Sequence, residues 1–289
     1  MDDLSAVEWM HRGADHLDGD LELAGACYRR ALELDPSLRG AWFDLGLVHK
    51  WRREWAQSLA CNRRAAALGS PDPSEPDPAY WNAGIAATAL ADWTAARWAW
   101  QGYGIRLSDG DGPIEENFGP GVVRLPDGET VWGTRIDPAR MVVRSVPLPD
   151  SGFRYADVVL HDGEPKGSRV ADGREYSVFD LIARWRPSAV PTVEVAVEGS
   201  TEAVAQLVTT LEDAGVRAEN WTETVTVHCK ACSLGRVDYD HPDHQHPAAT
   251  GSDGTARIGC SGDLTQITAL VDGWSVTQHA TVHGIAEVA

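Results

Sequence analysis

Three segments in the first hundred residues align column by column, and this repetition constrains the fold more than any other feature of the chain. They are EWMHRGADHLDGDLELAGACYRRALELDP, AWFDLGLVHKWRREWAQSLACNRRAAAL and YWNAGIAATALADWTAARWAWQGYG. Gly13, Gly46 and Gly84 share one column, Ala24, Ser58 and Ala96 a second, and Tyr28, Asn62 and Trp100 a third. Ala31 and Ala65 form a fourth, and Pro36 closes the first unit. The spacing predicts two helices per unit: small residues let paired helices approach closely, the large column fills the gap, and proline stops the second helix.

The pattern resembles the tetratricopeptide repeat (TPR) family over residues 5–104, about a third of the chain. Trp42, Leu45 and Gly46 are spaced as that family has them. The first unit departs by one residue between Gly13 and Ala24, Arg12 stands where leucine is expected, and SPDPSEPDP from Ser70 to Pro78 inserts a linker. The resemblance implies that the first helix of each unit lines a concave, peptide-binding surface. Carried over residue by residue, its positions are Met10, Ala14, Phe43, Leu47, Lys50, Trp81 and Ile85. The basic and asparagine residues with which some relatives clamp a terminal carboxylate are not at the corresponding places. Such an apolar groove either docks a hydrophobic segment of a protein or peptide partner or is covered by the chain's own downstream region. No polar capping helix follows residue 106, so something else must close the stack. Of twelve tryptophans, Trp42, Trp93 and Trp100 have inter-helix positions, whereas Trp51, Trp55 and Trp98 exceed what the pattern uses and are candidate interface anchors.

Charge narrows the partners. Against 25 basic side chains stand 43 acidic ones, a formal charge of -18 over 289 residues, which repels phosphate backbones and anionic lipid. The expectation is a protein or cation partner, with no nucleic acid and no membrane. No apolar run reaches the length of about 18 residues that a spanning helix needs. The acidic start MDDLSAVEW does not read as a secretory leader, and five scattered cysteines do not read as a disulfide scaffold, so the expected location is cytoplasmic.

From Ser108 the period changes to two: GVVRLPDG, ETVWGTRID, ARMVVRSVPLP and YADVVLHDG alternate apolar and polar residues, predicting a small antiparallel sheet or barrel. Turns are expected at Pro126–Gly128 and Asp162-Gly163, and a short helix at Val178–Arg184. Arg135, Asp137, Arg140, Arg154 and Asp157 read as solvent-facing positions on half-buried strands.

Beyond the break at Arg186–Pro191 the expected order is strand 192–198, helix 201–214, strand 223–229, strand 255–260, helix 263–273 and strand 277–285. That βαββαβ order is the ferredoxin-like plait. Residues 191–289 hold 14 acidic and 4 basic side chains, so negative charge concentrates here. The segment 228–260 carries the sharpest chemical signal: Cys229 and Cys232, then His241, His244 and His246, with His228 and Cys260 in reserve. Two thiolates three apart grip one side of a tetrahedral ion, and two imidazoles complete a structural zinc site. A histidine-rich site for another metal, a metal-free loop, a dithiol redox centre and a catalytic zinc with an aspartate base are the alternatives. His279 and His283, four apart on the expected last strand, read as surface residues. Phosphate-loop, nucleophile-elbow and dinucleotide-binding motifs are absent from the sequence.

The sequence therefore reads as a multidomain α+β protein with TPR-like helices over 1–106, a small β-rich domain over 107–190 and a ferredoxin-like domain over 191–289. The expected function is a non-enzymatic, protein-binding adaptor with zinc as its one cofactor. A metal- or thiol-dependent enzyme and an acidic inhibitor or immunity-type protein are the alternatives.

Overall fold

The computed structural model describes residues 4–70, 72, 74–224 and 255–288, and its chain divides into two compact units, Met1–Glu116 and Asn117–Ala289. The first unit is all helical: α1 (Ala6–His16), α2 (Leu21–Leu34), α3 (Arg39–Trp51), α4 (Trp55–Ala67), α5 (Pro78–Ala89) and α6 (Trp93–Tyr103). The helix starts are written in side chains. Ser5 and Glu8 form a reciprocal capping box, Asp20, Asp77 and Asp92 accept from the first-turn N–H groups of their helices, and Pro78 follows its cap directly. Helices pair as α1–α2, α3–α4 and α5–α6, and each pair packs on the next.

The repeat columns set the pairing distance. A Cβ on Gly13 would lie 2.7 Å from the Tyr28 ring, one on Gly84 2.7 Å from the Trp100 ring, and one on Gly46 2.5 Å from the Asn62 amide. The same small-on-large contact thus recurs in every pair, and Ala24, Ser58 and Ala96 are fully buried beside it. This recurrence makes the segment TPR-like in its packing as well as its spacing.

The second unit opens with five strands: β1 (Pro120–Arg124), β2 (Thr130–Arg135), β3 (Arg140–Val143), β4 (Val158–Ala171) and β5 (Arg174–Arg186). They close into a barrel in which each strand pairs antiparallel with the next and β5 returns to β1. The closing β1–β5 pair is parallel, as an odd number of up-and-down strands requires. Val123, Val131, Met141, Val143, Val159 and Phe179 fill the interior.

Two expectations for this region are corrected. Val178–Arg184 is no helix but the middle of β5, paired on both sides. Asp162-Gly163 is no turn but an irregular stretch within β4, where the register shifts between His161 and Pro165. The reversal falls at Asp172-Gly173, whose φ values of 50° and 72° are those a two-residue hairpin turn of the primed type demands.

A four-stranded antiparallel sheet follows, built from β6 (Thr192–Glu198), β7 (Arg217–Asn220), β8 (Thr255–Ser261) and β9 (Thr281–Glu287), in the order β7-β8-β6-β9. Helix α7 (Thr201–Asp213) joins β6 to β7, and α9 (Leu264–Gln278) joins β8 to β9. Between β7 and β8 lies one turn of helix, α8 (Trp221–Thr224). The second described strand is thus 217–220; of the expected strand 223–229, Glu223 and Thr224 belong to α8 and the rest lies outside the described residues. His279 ends α9 in a left-handed conformation rather than lying on the last strand, so it does not share a strand face with His283. Val193, Val195, Leu207, Leu211, Ile258, Ile267 and Val271 form the core between sheet and helices.

Candidate functional site

The first helices of the repeats bring the expected groove residues to very different depths. On α3, Phe43 and Leu47 stand one helical turn apart and half-buried, with the Arg39 guanidinium 5.9 Å from the Phe43 ring. Met10 is half-buried too, packing with Leu38 and Trp42 around the α1–α3 core, while Ala14 is exposed. Ile85 is fully buried and Lys50 nearly so, which corrects the expectation that both present a surface to a peptide. Trp81 is half-buried and already engaged, with its ring 5.1 Å from Trp100 and 4.8 Å from Tyr103.

Two polar ties hold α3 against α5. Lys50 donates to the Asn82 side-chain oxygen at 2.9 Å in a buried contact. Arg39 pairs with Asp77, the same carboxylate that caps α5 through the N–H of Ala79 at 2.9 Å. Sequence reasoning missed Arg39, Asp77 and Asn82, because ties of this kind join residues 32 and 38 apart and obey no local period. Asp44, beside Phe43, has its carboxyl pushed up to about 6 by burial.

Of the candidate aromatic anchors, Trp51 is 45% exposed and Trp98 36% exposed. Trp98 stands 5.1 Å from Tyr80 and carries the Arg63 guanidinium 5.1 Å above its ring. Trp55 is half-buried at the start of α4. Trp100 is fully buried and donates to Thr88 at 3.3 Å, as an inter-helix position requires.

The barrel residues expected to face solvent do not all do so. Asp137, Arg140 and Asp157 are fully buried, and Arg135 and Arg154 half-buried. Asp157 accepts from the N–H groups of Arg154 and Ser188, at 3.0 and 2.6 Å, and pairs with Arg184 at 3.1 Å. These carboxylates staple turns together; alternation along a strand says nothing about residues in the turns.

Cys229, Cys232, His241, His244 and His246 lie outside the described residues, as does His228. Cys260 is described: it sits fully buried in β8 with its thiol pushed up to about 12 by burial, which makes it a core residue and not a reserve ligand. Among the described residues no group of three or more metal-ligating side chains assembles.

Over 34% of this chain the structure is similar to the second TPR of Spaghetti (RPAP3) bound to the HSP90 peptide SRMEEVD, at 20% identity and a TM-score of 0.31, covering 89% of that chain. It is similar over the same share to YrrB, a TPR protein with an unusual peptide-binding site, at 21% identity and a TM-score of 0.31. The CopN-Scc3 complex matches at 21% identity, also with a TM-score of 0.31. This chain spans 50% of the YrrB chain and 56% of the third. No protein-family model and no curated protein matches the sequence.

Proposed function

We propose that this protein is a non-catalytic adaptor that captures a protein or peptide segment on the first-helix face of its TPR-like hairpins. The observation that carries the reading is the half-buried pair Phe43 and Leu47 on a helix fixed to its neighbour by the Lys50–Asn82 and Arg39–Asp77 ties. A rigid apolar strip binds with little ordering cost, so a short amphipathic or extended segment gains more from its own burial. The strongly acidic chain disfavours acidic partners and gives neutral or basic ones a faster encounter.

Selection of a random peptide library on the full chain tests this. Peptides enriched by the wild type are expected to bind Phe43→Ser, Leu47→Ser at least about tenfold more weakly. The control Gln57→Ser, on exposed α4 surface, should leave them unaffected. Enriched peptides that bind the double variant as tightly as the wild type would sink the groove reading. Trp81 is left intact because its contacts with Trp100 and Tyr103 make it a packing residue.

We assign the C-terminal sheet to the ferredoxin-like plait, a reading supported by its βαββαβ order with the last strand beside the first and the second at the edge. We also propose a structural zinc on Cys229, Cys232 and two of His241, His244 and His246, supported by their spacing in a polar stretch with little apolar content. Elemental analysis of the protein and of Cys229→Ser, Cys232→Ser is expected to find zinc in the first only; none in either removes the proposal. A cytoplasmic location accords with such a thiol pair kept reduced.

A further inference from the structure

We propose that the cavity between the barrel and the terminal sheet binds a small organic cation, its ammonium or guanidinium head seated on Glu129 and Glu219. The cavity measures about 580 Å³ and is walled by Thr130, Trp132 and Arg169 of the barrel and by Ala205, Glu219 and Asn220 of α7 and β7. That volume lies in the range of small-molecule sites, and apolar side chains such as Val122, Val208 and Ala218 line it beside the convergent polar groups.

Glu129 is the group that calls for a ligand. It is 7% exposed, and among the described residues its carboxylate accepts only from the N–H of Leu148, at 3.2 and 3.3 Å. No described basic side chain pairs with it. Burial raises its carboxyl to about 8, the neighbouring charges of Asp127 and Glu219 adding to the effect. Glu219 is itself raised by burial although it meets Arg217 at 3.4 Å and accepts from the Val146 N–H and the Ser145 side chain. A buried carboxylate with spare acceptor capacity and no counter-charge among the described residues is costly to ionise, and a ligand that brings the cation removes that cost.

The basic residues of the wall do not supply it. Arg217 is committed to Glu212 at 2.6 Å, to Glu219 and to the Arg144 carbonyl at 3.1 Å. Arg169 donates to the Thr130 hydroxyl at 2.7 Å. Glu223 also faces the cavity, so the charged groups that bear on the head are Asp127, Glu129, Glu219, Glu223, Arg169 and Arg217. Trp132 adds an aromatic wall of the kind organic cations favour. A bare divalent ion fits poorly, because it wants several ionised oxygens and here two guanidinium groups share the wall.

Calorimetric titration of the full chain with agmatine, in two buffers of different ionisation enthalpy, tests the assignment. Saturable binding is expected, with proton release near neutral pH as Glu129 ionises, and tighter at pH 8 than at pH 7 by up to about tenfold. Glu129→Gln keeps the acceptor for Leu148 and is expected to bind agmatine about a hundredfold more weakly. Magnesium chloride alone should give no saturable heat. Absent agmatine binding, equal binding by wild type and Glu129→Gln, or displacement of agmatine by magnesium would each overturn the proposal. If Glu129→Gln does not fold, proton release by the native protein decides: release supports the site and its absence overturns it.

Discussion

Asp137 and Arg140 carry opposite charges where neither reaches water. The Arg140 Nε donates to the Asp137 Oδ2 at 2.5 Å, the other carboxylate oxygen accepts from the Ala139 and Arg140 N–H groups at 2.8 and 2.6 Å, and the guanidinium lies 4.4 Å from the Trp185 ring. One residue thus neutralises a buried cation and shapes the entry to β3. Removing one partner of such a pair leaves the other charge stranded, whereas replacing both with apolar groups costs far less. Asp137→Asn is therefore expected to destabilise the barrel by about 3–5 kcal/mol, read as a lowered urea midpoint in circular dichroism. A loss below about 1 kcal/mol would mean that the pair is not what holds this turn. The two residues stood out in the sequence, but their depth did not: period-two alternation assigns faces along a strand, and Asp137 lies in the turn before β3. Glu129 was invisible for a related reason, since its burial comes from residues brought together across the barrel and the sheet.

Helix pairing, by contrast, was legible, because in each hairpin a glycine and a larger residue recur 15 or 16 residues apart, and the packing then uses that spacing. Gly84 and Gly273 separate this packing role from helix propensity. A Cβ at Gly84 would lie 2.7 Å from atoms of the fully buried Trp100 ring, whereas one at Gly273, exposed in α9, would meet nothing within 4 Å. Gly84→Ala is expected to cost about 1–3 kcal/mol by overpacking, and Gly273→Ala to gain about 0.5–1 kcal/mol by helix propensity. Thermal unfolding of the two variants checks this, and a stabilising Gly84→Ala would show that the hairpin does not depend on the small column. The strands were harder to read. Val178, Phe179, Leu181, Ile182 and Trp185 mimic a helical stripe, yet pairing on both edges makes the segment a strand, and that information lies in β1 and β4. Similarly β7 is only Arg217–Asn220, too short to show a period of its own.

At the scale of the whole molecule, the excess of acids was plain in the sequence, but which of them are buried decides how stability responds to pH. Burial raises Glu129 to about 8, Asp44 to about 6 and Glu219 in the same direction. Each therefore binds its proton more tightly folded than unfolded, adds stability that is complete below its unfolded value, 4.5 for the glutamates and 3.8 for Asp44, and loses it as pH rises through the folded value. His161 works the other way. It is fully buried against Phe179 at 4.5 Å, neither ring nitrogen has a hydrogen-bond partner, and burial together with the Arg135 charge lowers it to about 3. The unfolded chain takes up that proton from about pH 6.5 downward while the folded one does not, so the stability His161 contributes is present above 6.5 and drains away toward 3. Lower pH also relieves the repulsion of a chain carrying -18, which reinforces the acids and not the histidine. Above about pH 4.5 the raised carboxylates together outweigh the single histidine, so the urea midpoint of the full chain is expected to be highest near pH 4.5 and lower at pH 8 and at pH 3. Glu129→Gln should shrink the loss between pH 6 and 8, and His161→Phe, which keeps the stacking on Phe179 without a titrating group, should shrink the loss on the acid side. A wild-type midpoint that climbs steadily from pH 6 to 8 would contradict the sign of the carboxylate contribution, and an unchanged acid limb in His161→Phe would remove the histidine from the account.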